Sequence, residues 1–169
     1  MPRYVYIPLL LMLFIQCTSP DPHSGWTTYN GTKAGMKYSS LDQVDTSNVN
    51  NLTVLWTYHT GDADTVHHSQ IQTNPIVIDG VLYGTSPQMK LFAVDAATGV
   101  EKWVFDPLAP EAYSSNRSSF HNMINSRGVA YWTDGKEDKR IFFTAGSFTY
   151  AIDAKTGKPV PSFGENGSI

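Results

Sequence analysis

The stretch LFAVDAATGVEKWVFDP, residues 91–107, has a counterpart further along the chain in TYAIDAKTGKPVPSFG, residues 149–164. Both contain A-x-D-A-x-T-G, and the two aspartates, Asp95 and Asp153, stand 58 residues apart. Self-similarity at this order of spacing marks a repeat architecture, in which each copy is one supersecondary unit packed on its neighbour. Each copy reads as two strands joined by a tight corner. Leu91 to Val94 form a short apolar run, Asp95 can accept hydrogen bonds from amides of the following turn, and Gly99 can take the positive φ that closes it. A second strand starts at Glu101 and places the rings of Trp103 and Phe105 on one face, two residues apart. The second copy keeps Asp153, Thr156 and Gly157 but has Pro161 where Trp103 would recur. The corner is retained and the ring is lost.

The flanking segments extend this pattern. NPIVIDGVLYGTS is predicted to be a hairpin, two β-branched and aromatic runs joined by Asp79-Gly80, a dipeptide suited to a type I′ turn. RGVAYWTDGKEDKRIFFTAG is predicted to be a second, with a polar loop at Asp134 to Lys139. With NLTVLWTYHT in front, the count is about eight strands and no amphipathic helix. Four-stranded antiparallel units at this spacing predict an all-β fold, a β-propeller, of which eight strands make about two blades where a closed ring has ~4 to 8. The expectation is therefore the first two blades of a longer ring.

Composition narrows the class. Charged residues are 16% and the net charge is −3, so no basic surface for nucleic acid is expected. A single cysteine, Cys17, excludes a disulfide within the chain. It follows an apolar run reaching Ile15 that has one basic residue, Arg3, before it and the polar, Pro-rich TSPDPHSG after it. That run is shorter than the ~20 residues a membrane helix needs, which points to a targeting segment. The arrangement resembles the lipobox of bacterial lipoproteins, with Cys17 as the lipidated residue, although Gln16 stands where a small residue is usual. The expected organisation is a signal peptide over 1–17, a linker over 18–25 and the propeller portion over 26–169, in a protein exported to the periplasm or cell envelope and held at a membrane by lipid. Export with cleavage elsewhere is the alternative.

GWTTYNGTKAGMKYSSLDQVDTSNVNNLTVLWTYHTGD, together with QTNPIVIDGVLYGTSPQMKLFAVDAATGVEKWVFDP, NSRGVAYW and FTYAIDAKTGKPVPSFGENG, resembles the N-terminal part of the pyrroloquinoline-quinone-dependent dehydrogenases. The resemblance implies an eight-bladed propeller that binds the quinone with a calcium ion near the ring axis. It implies oxidation of an aldose sugar or alcohol, with electrons passed to a quinone or cytochrome acceptor. Trp103 would dock on the adjacent blade. Arg127 matches an arginine that reaches the quinone oxygens, where a fixed, multidentate cation can stabilise developing negative charge. Gln72 matches a Glu or Gln at the cofactor's polar edge, and is read equally well as a solvated residue before a strand. Alcohol-oxidising members carry two adjacent cysteines where this chain has His121 and Asn122. That difference points to the sugar-oxidising branch, with His121 as a flat lid over the quinone or as an ordinary loop residue. The calcium ligands and catalytic aspartate are expected in later blades, so this stretch alone is expected to be inactive. Asp62, Asp64, His67 and His68 are read as a solvated loop rather than a metal site, and Tyr131 and Trp132 as strand packing. A non-catalytic propeller lipoprotein resembling the envelope assembly scaffold is the competing expectation.

Overall fold

The computed structural model describes residues 25–66, 68–109 and 126–169. Seven strands lie among them: β1 (Ile76–Ile78), β2 (Val81–Thr85), β3 (Leu91–Asp95), β4 (Glu101–Phe105), β5 (Ala130–Thr133), β6 (Lys139–Ala145) and β7 (Phe148–Asp153). They form two antiparallel meanders, one four-stranded in the order β1-β2-β3-β4 and one three-stranded in the order β5-β6-β7. The only helical turn among the described residues is the 3₁₀ turn Val49–Asn51.

The turn chemistry read from the sequence is what closes these sheets. Asp79 and Gly80 join β1 to β2 with φ of 50° and 75°, the pair of positive values that a type I′ hairpin requires. At the first corner Asp95 Oδ1 accepts the N–H groups of Ala97 and Thr98, both at 3.1 Å, and the Thr98 hydroxyl at 3.0 Å. The second corner repeats the device, Asp153 Oδ1 accepting the Thr156 N–H at 2.7 Å and its hydroxyl at 2.6 Å.

Strand register explains the core. Ile76, Tyr83, Ala93 and Trp103 lie opposite one another across the four strands and so share one face. On the second sheet Tyr131, Ile141 and Ile152 are aligned in the same way. The two rows belong to one buried cluster between the sheets, joined by Phe105, whose ring lies 5.7 Å from Tyr150 and 6.0 Å from Phe143. Tyr83 ties the layers with a polar contact, its hydroxyl donating to the Ala154 carbonyl at 3.1 Å. Burial pushes that phenol up to about 12, so it remains a donor across the ordinary pH range.

Two sequence expectations differ from the observed fold. NLTVLWTYHT, expected as a strand, has no ladder among the described residues, because no neighbouring strand lies beside it. The second sheet has three strands rather than four. Its would-be outer strand carries Pro159 and Pro161, which cannot donate to a ladder. Instead the chain touches β7 through isolated bridges at Pro159 and Ser168.

Candidate functional site

The segments that lead into the first strand of each sheet meet. The Asn74 N–H donates to the Arg127 carbonyl at 2.9 Å, and Asn74 and Gly128 form an isolated parallel bridge. The contact needs glycine at 128: its φ is 151°, and an added Cβ would lie 2.9 Å from the Asn74 carbonyl oxygen and 3.1 Å from the Tyr29 ring. Arg127 is thus held by its backbone at the rim where both sheets start, with its residue exposed. The opening Trp26 supports the same rim, its carbonyl accepting the Val77 N–H at 2.8 Å.

Beside this contact lies an open cavity of about 400 Å³ lined by Tyr29, Ser126, Arg127, Gly128, Phe142 and Thr149 among others. Arg127 is the one charged residue among the described residues of that lining. Ser126 is buried and donates its hydroxyl to the Gly128 carbonyl at 3.3 Å, which orders the segment that presents the arginine. A rim whose described residues carry a guanidinium and no carboxylate suits an anionic ligand with a flat apolar body, since Tyr29 and Phe142 offer aromatic surface.

Of the residues singled out from sequence, Arg127 lines this cavity and Gln72 does not. Gln72 is exposed two residues before Asn74 and donates its side-chain amide to Gln70 Oε1 at 2.9 Å. His121 and Cys17 lie outside the described residues, as does His67. The loop reading of Asp62 needs correction, because it is tethered rather than solvated. Its Oδ2 accepts the Ser86 hydroxyl at 2.5 Å and the Gln88 N–H at 3.2 Å, while Oδ1 is buried without a partner among the described residues. Asp64 serves its own loop, accepting the Val66 N–H at 2.9 Å. Among the described residues no group of three or more His, Cys, Asp or Glu side chains is placed to hold a metal ion. Tyr29 and Ser126 were missed by sequence reasoning. Tyr29 sits in the W-x-x-Y-N-G opening, so the motif was visible but the side chain's destination was not.

The docking of tryptophans is the second feature of the site's scaffold. Trp103 Nε1 donates to the Ala154 carbonyl at 3.2 Å, and its ring lies over Gly157, where a Cβ would come within 2.6 Å of it. This joins the outer strand of the first sheet to the corner of the second. Asp95, Gly99, Asp153 and Gly157 are therefore corner residues that receive a ring or hold the turn that does so.

Comparison with known proteins gives the same architecture. The family model described as the glucose/ethanol/alcohol dehydrogenase β-propeller domain, PQQ, matches residues 26–169. A quinoprotein glucose dehydrogenase of Gluconobacter oxydans (strain 621H) is 39% identical over 165 residues, covering 89% of this chain and 20% of that protein. The dehydrogenase subunit of a quinone-linked alcohol dehydrogenase of Gluconacetobacter polyoxogenes is 42% identical over 141 residues, covering 83% and 18%. The crystal structure of the quinohemoprotein alcohol dehydrogenase from Comamonas testosteroni superposes with a TM-score of 0.66 at 28% identity, covering 82% of this chain and 19% of that one. The chain thus spans about a fifth of the length of these relatives. Two meandering sheets joined by docked tryptophan, with a cationic rim where the segments leading into them meet, are part of a propeller, and the chain belongs to the PQQ glucose/ethanol/alcohol dehydrogenase β-propeller family.

Proposed function

We propose that this chain contributes one wall of the quinone pocket of an exported PQQ-dependent dehydrogenase that oxidises an aldose sugar such as glucose. The observation that carries the reading is the position of Arg127, a cation at the rim where the segments leading into the first strands of two sheets meet, in a cavity with no acidic residue among its described lining. Pyrroloquinoline quinone is flat and carries carboxylates, so the residues present suit it: Arg127 and the Ser126 hydroxyl supply polar groups, and Tyr29 and Phe142 supply apolar surface. When bound, the quinone accepts the two electrons removed from the substrate CH–OH group. Arg127 would hold a positive charge beside its oxygens, where that charge counts for more as negative charge develops. Gly128, by letting the two edges close on each other, keeps the arginine on a fixed backbone rather than on a free loop. Gln72, from the adjacent segment, would offer an amide to the same ligand, and His121 would cover one face of it. Calcium, an oxygen-seeking cation, would be held by residues outside this stretch.

The sugar reading rests on the family resemblance, which implies a cysteine pair in alcohol-oxidising members at the positions that are His121 and Asn122 here. Reconstitution of the full-length apo-protein with pyrroloquinoline quinone and calcium, followed by dye reduction with glucose and with ethanol, tests both levels. Glucose is expected to be preferred. Arg127→Ala is expected to lower turnover about 10²-fold, the scale for loss of one electrostatic contact to developing charge. Arg127→Lys should recover only part, because a point charge does not reproduce the guanidinium fork. Preference for ethanol would reassign the substrate, and failure to bind the quinone would overturn the pocket.

A further inference from the structure

Asp62 does not line the Arg127 cavity, yet a short run of hydrogen bonds leads from its carboxylate to that arginine. Its Oδ2 accepts the Ser86 hydroxyl at 2.5 Å and the Gln88 N–H at 3.2 Å. Ser86 is the hub of the turn between β2 and β3. Its hydroxyl oxygen accepts the Lys90 N–H at 3.0 Å, its N–H donates to the Lys90 carbonyl at 2.8 Å, and its carbonyl accepts the Met89 N–H at 3.0 Å. Met89, buried in this turn, has a φ of 66°, in the left-handed region that side chains rarely adopt, so the turn depends on such support. Thr85, the residue before Ser86, donates its N–H to Thr73 Oγ1 at 3.3 Å. Thr73 adjoins Asn74, whose N–H donates to the Arg127 carbonyl at 2.9 Å.

The start of this relay is itself anchored. Two residues after Asp62, the Asp64 N–H donates to Ser69 Oγ at 2.7 Å and the Ser69 N–H donates to the Asp64 carbonyl at 2.9 Å, which closes the loop. A charged acceptor holds its donors more strongly than a neutral one, and here one carboxylate oxygen takes two. The other oxygen, Oδ1, is buried with no partner among the described residues, which costs stability. A carboxylate is thus an expensive way to hold a turn that Ser86 and Lys90 already close. What it adds is a fixed position for the end of β2 relative to the loop before the first sheet, and the end of β2 is what grips Thr73.

We propose that Asp62 is a positioning residue of the quinone pocket, setting through Ser86, Thr85, Thr73 and Asn74 where Arg127 stands. The role rests on the assignment of Arg127 to that pocket. Asp62 touches no ligand in this scheme. It acts on the backbone that carries the cation, and a displacement of that backbone would weaken the contact to the quinone while leaving the sheets in place.

A double-mutant cycle on the full-length apo-protein tests it, with pyrroloquinoline quinone binding in the presence of calcium followed by quenching of tryptophan fluorescence. Asp62→Ala is expected to weaken quinone binding about tenfold, the low end for loss of a group that orients a ligand contact from behind. Asp62→Asn keeps an acceptor for Ser86 and Gln88 and should restore most of that loss. In an Arg127→Ala background, Asp62→Ala should cost less than about twofold more, because the position it controls no longer carries the cation. Hydrogen exchange of the apo-protein should show faster exchange at Thr73 and Asn74 in Asp62→Ala than in wild type. If Asp62→Ala does not fold, Ser86→Ala breaks the same relay with the carboxylate in place, and the same losses are expected of it. Unchanged binding, unchanged exchange, or losses that add in full to that of Arg127→Ala would each overturn the role of Asp62 while the pocket stands. Arg127→Ala binding quinone as tightly as wild type would overturn the pocket itself, and this role with it.

Discussion

Asp95 shows how much of the fold hangs on single side chains. One carboxylate oxygen takes three donors from the next turn, and Oδ2 faces Lys102 Nζ at 3.4 Å. The Thr98 hydroxyl, followed by the Thr98 N–H and Lys102, holds the carboxyl below the usual carboxylate range. A depressed folded value means that the stabilisation is complete above the ordinary aspartate pKa, about 4, and is lost as pH falls through the folded one. Asp95→Asn keeps an acceptor and removes the charge, so it should be less stable than wild type at neutral pH. Equilibrium denaturation across about pH 6 to about pH 2 should show the gap narrowing below about pH 4. A gap constant over that range would mean that the turn bonds matter and the charge does not.

At the scale of the element, the docked tryptophan couples the outer strand of one sheet to the corner of the next. Gly157 has φ of 71° and Trp103 against it, while Gly135 has φ of 80° and open space around it. Alanine at 135 meets only the backbone strain of the left-handed region, about 1 kcal/mol. Alanine at 157 meets that strain and must also displace the ring, for a total of about 3 kcal/mol. Denaturant midpoints of Gly135→Ala and Gly157→Ala in the same background check the difference. Equal losses would show that the Trp103 contact adds no stability. The same comparison separates a sheet that is merely adjacent to its neighbour from one that is stapled to it.

For the molecule as a whole, the question is where the propeller sits. The Pro-rich TSPDPHSG that follows Cys17 would act as a short spacer between a lipid and the first residues of the propeller. An acyl anchor of this kind would hold the protein at a membrane surface without spanning it. Metabolic labelling of cells with a fatty-acid probe should mark the wild-type protein, and Cys17→Ser should abolish the label. Label retained in that variant would remove Cys17 as the anchor. Among the described residues no helix is long and apolar enough to cross a bilayer.

The repeated A-x-D-A-x-T-G, the Asp79-Gly80 hairpin and the alternation of Trp103 and Phe105 determined the sheets from sequence alone, because turn geometry and strand periodicity are local properties of the chain. The family, too, was legible in RGVAYW and in the W-x-x-Y-N-G opening. Other features depended on which segments meet. Trp56 looks like any strand tryptophan in NLTVLWTYHT until its ring is seen on Gly99, and the absence of a ladder there reflects a missing neighbour rather than a weak strand signal. Asp62 reads as loop until the β2–β3 turn folds over it. The contact of Asn74 with Arg127 joins residues more than fifty apart, and with it the cavity that includes Tyr29 and Ser126. Sequence determined the units, and tertiary structure decided the seams between them, because hydrogen bonds and ring contacts across a seam depend on distances that no local pattern encodes.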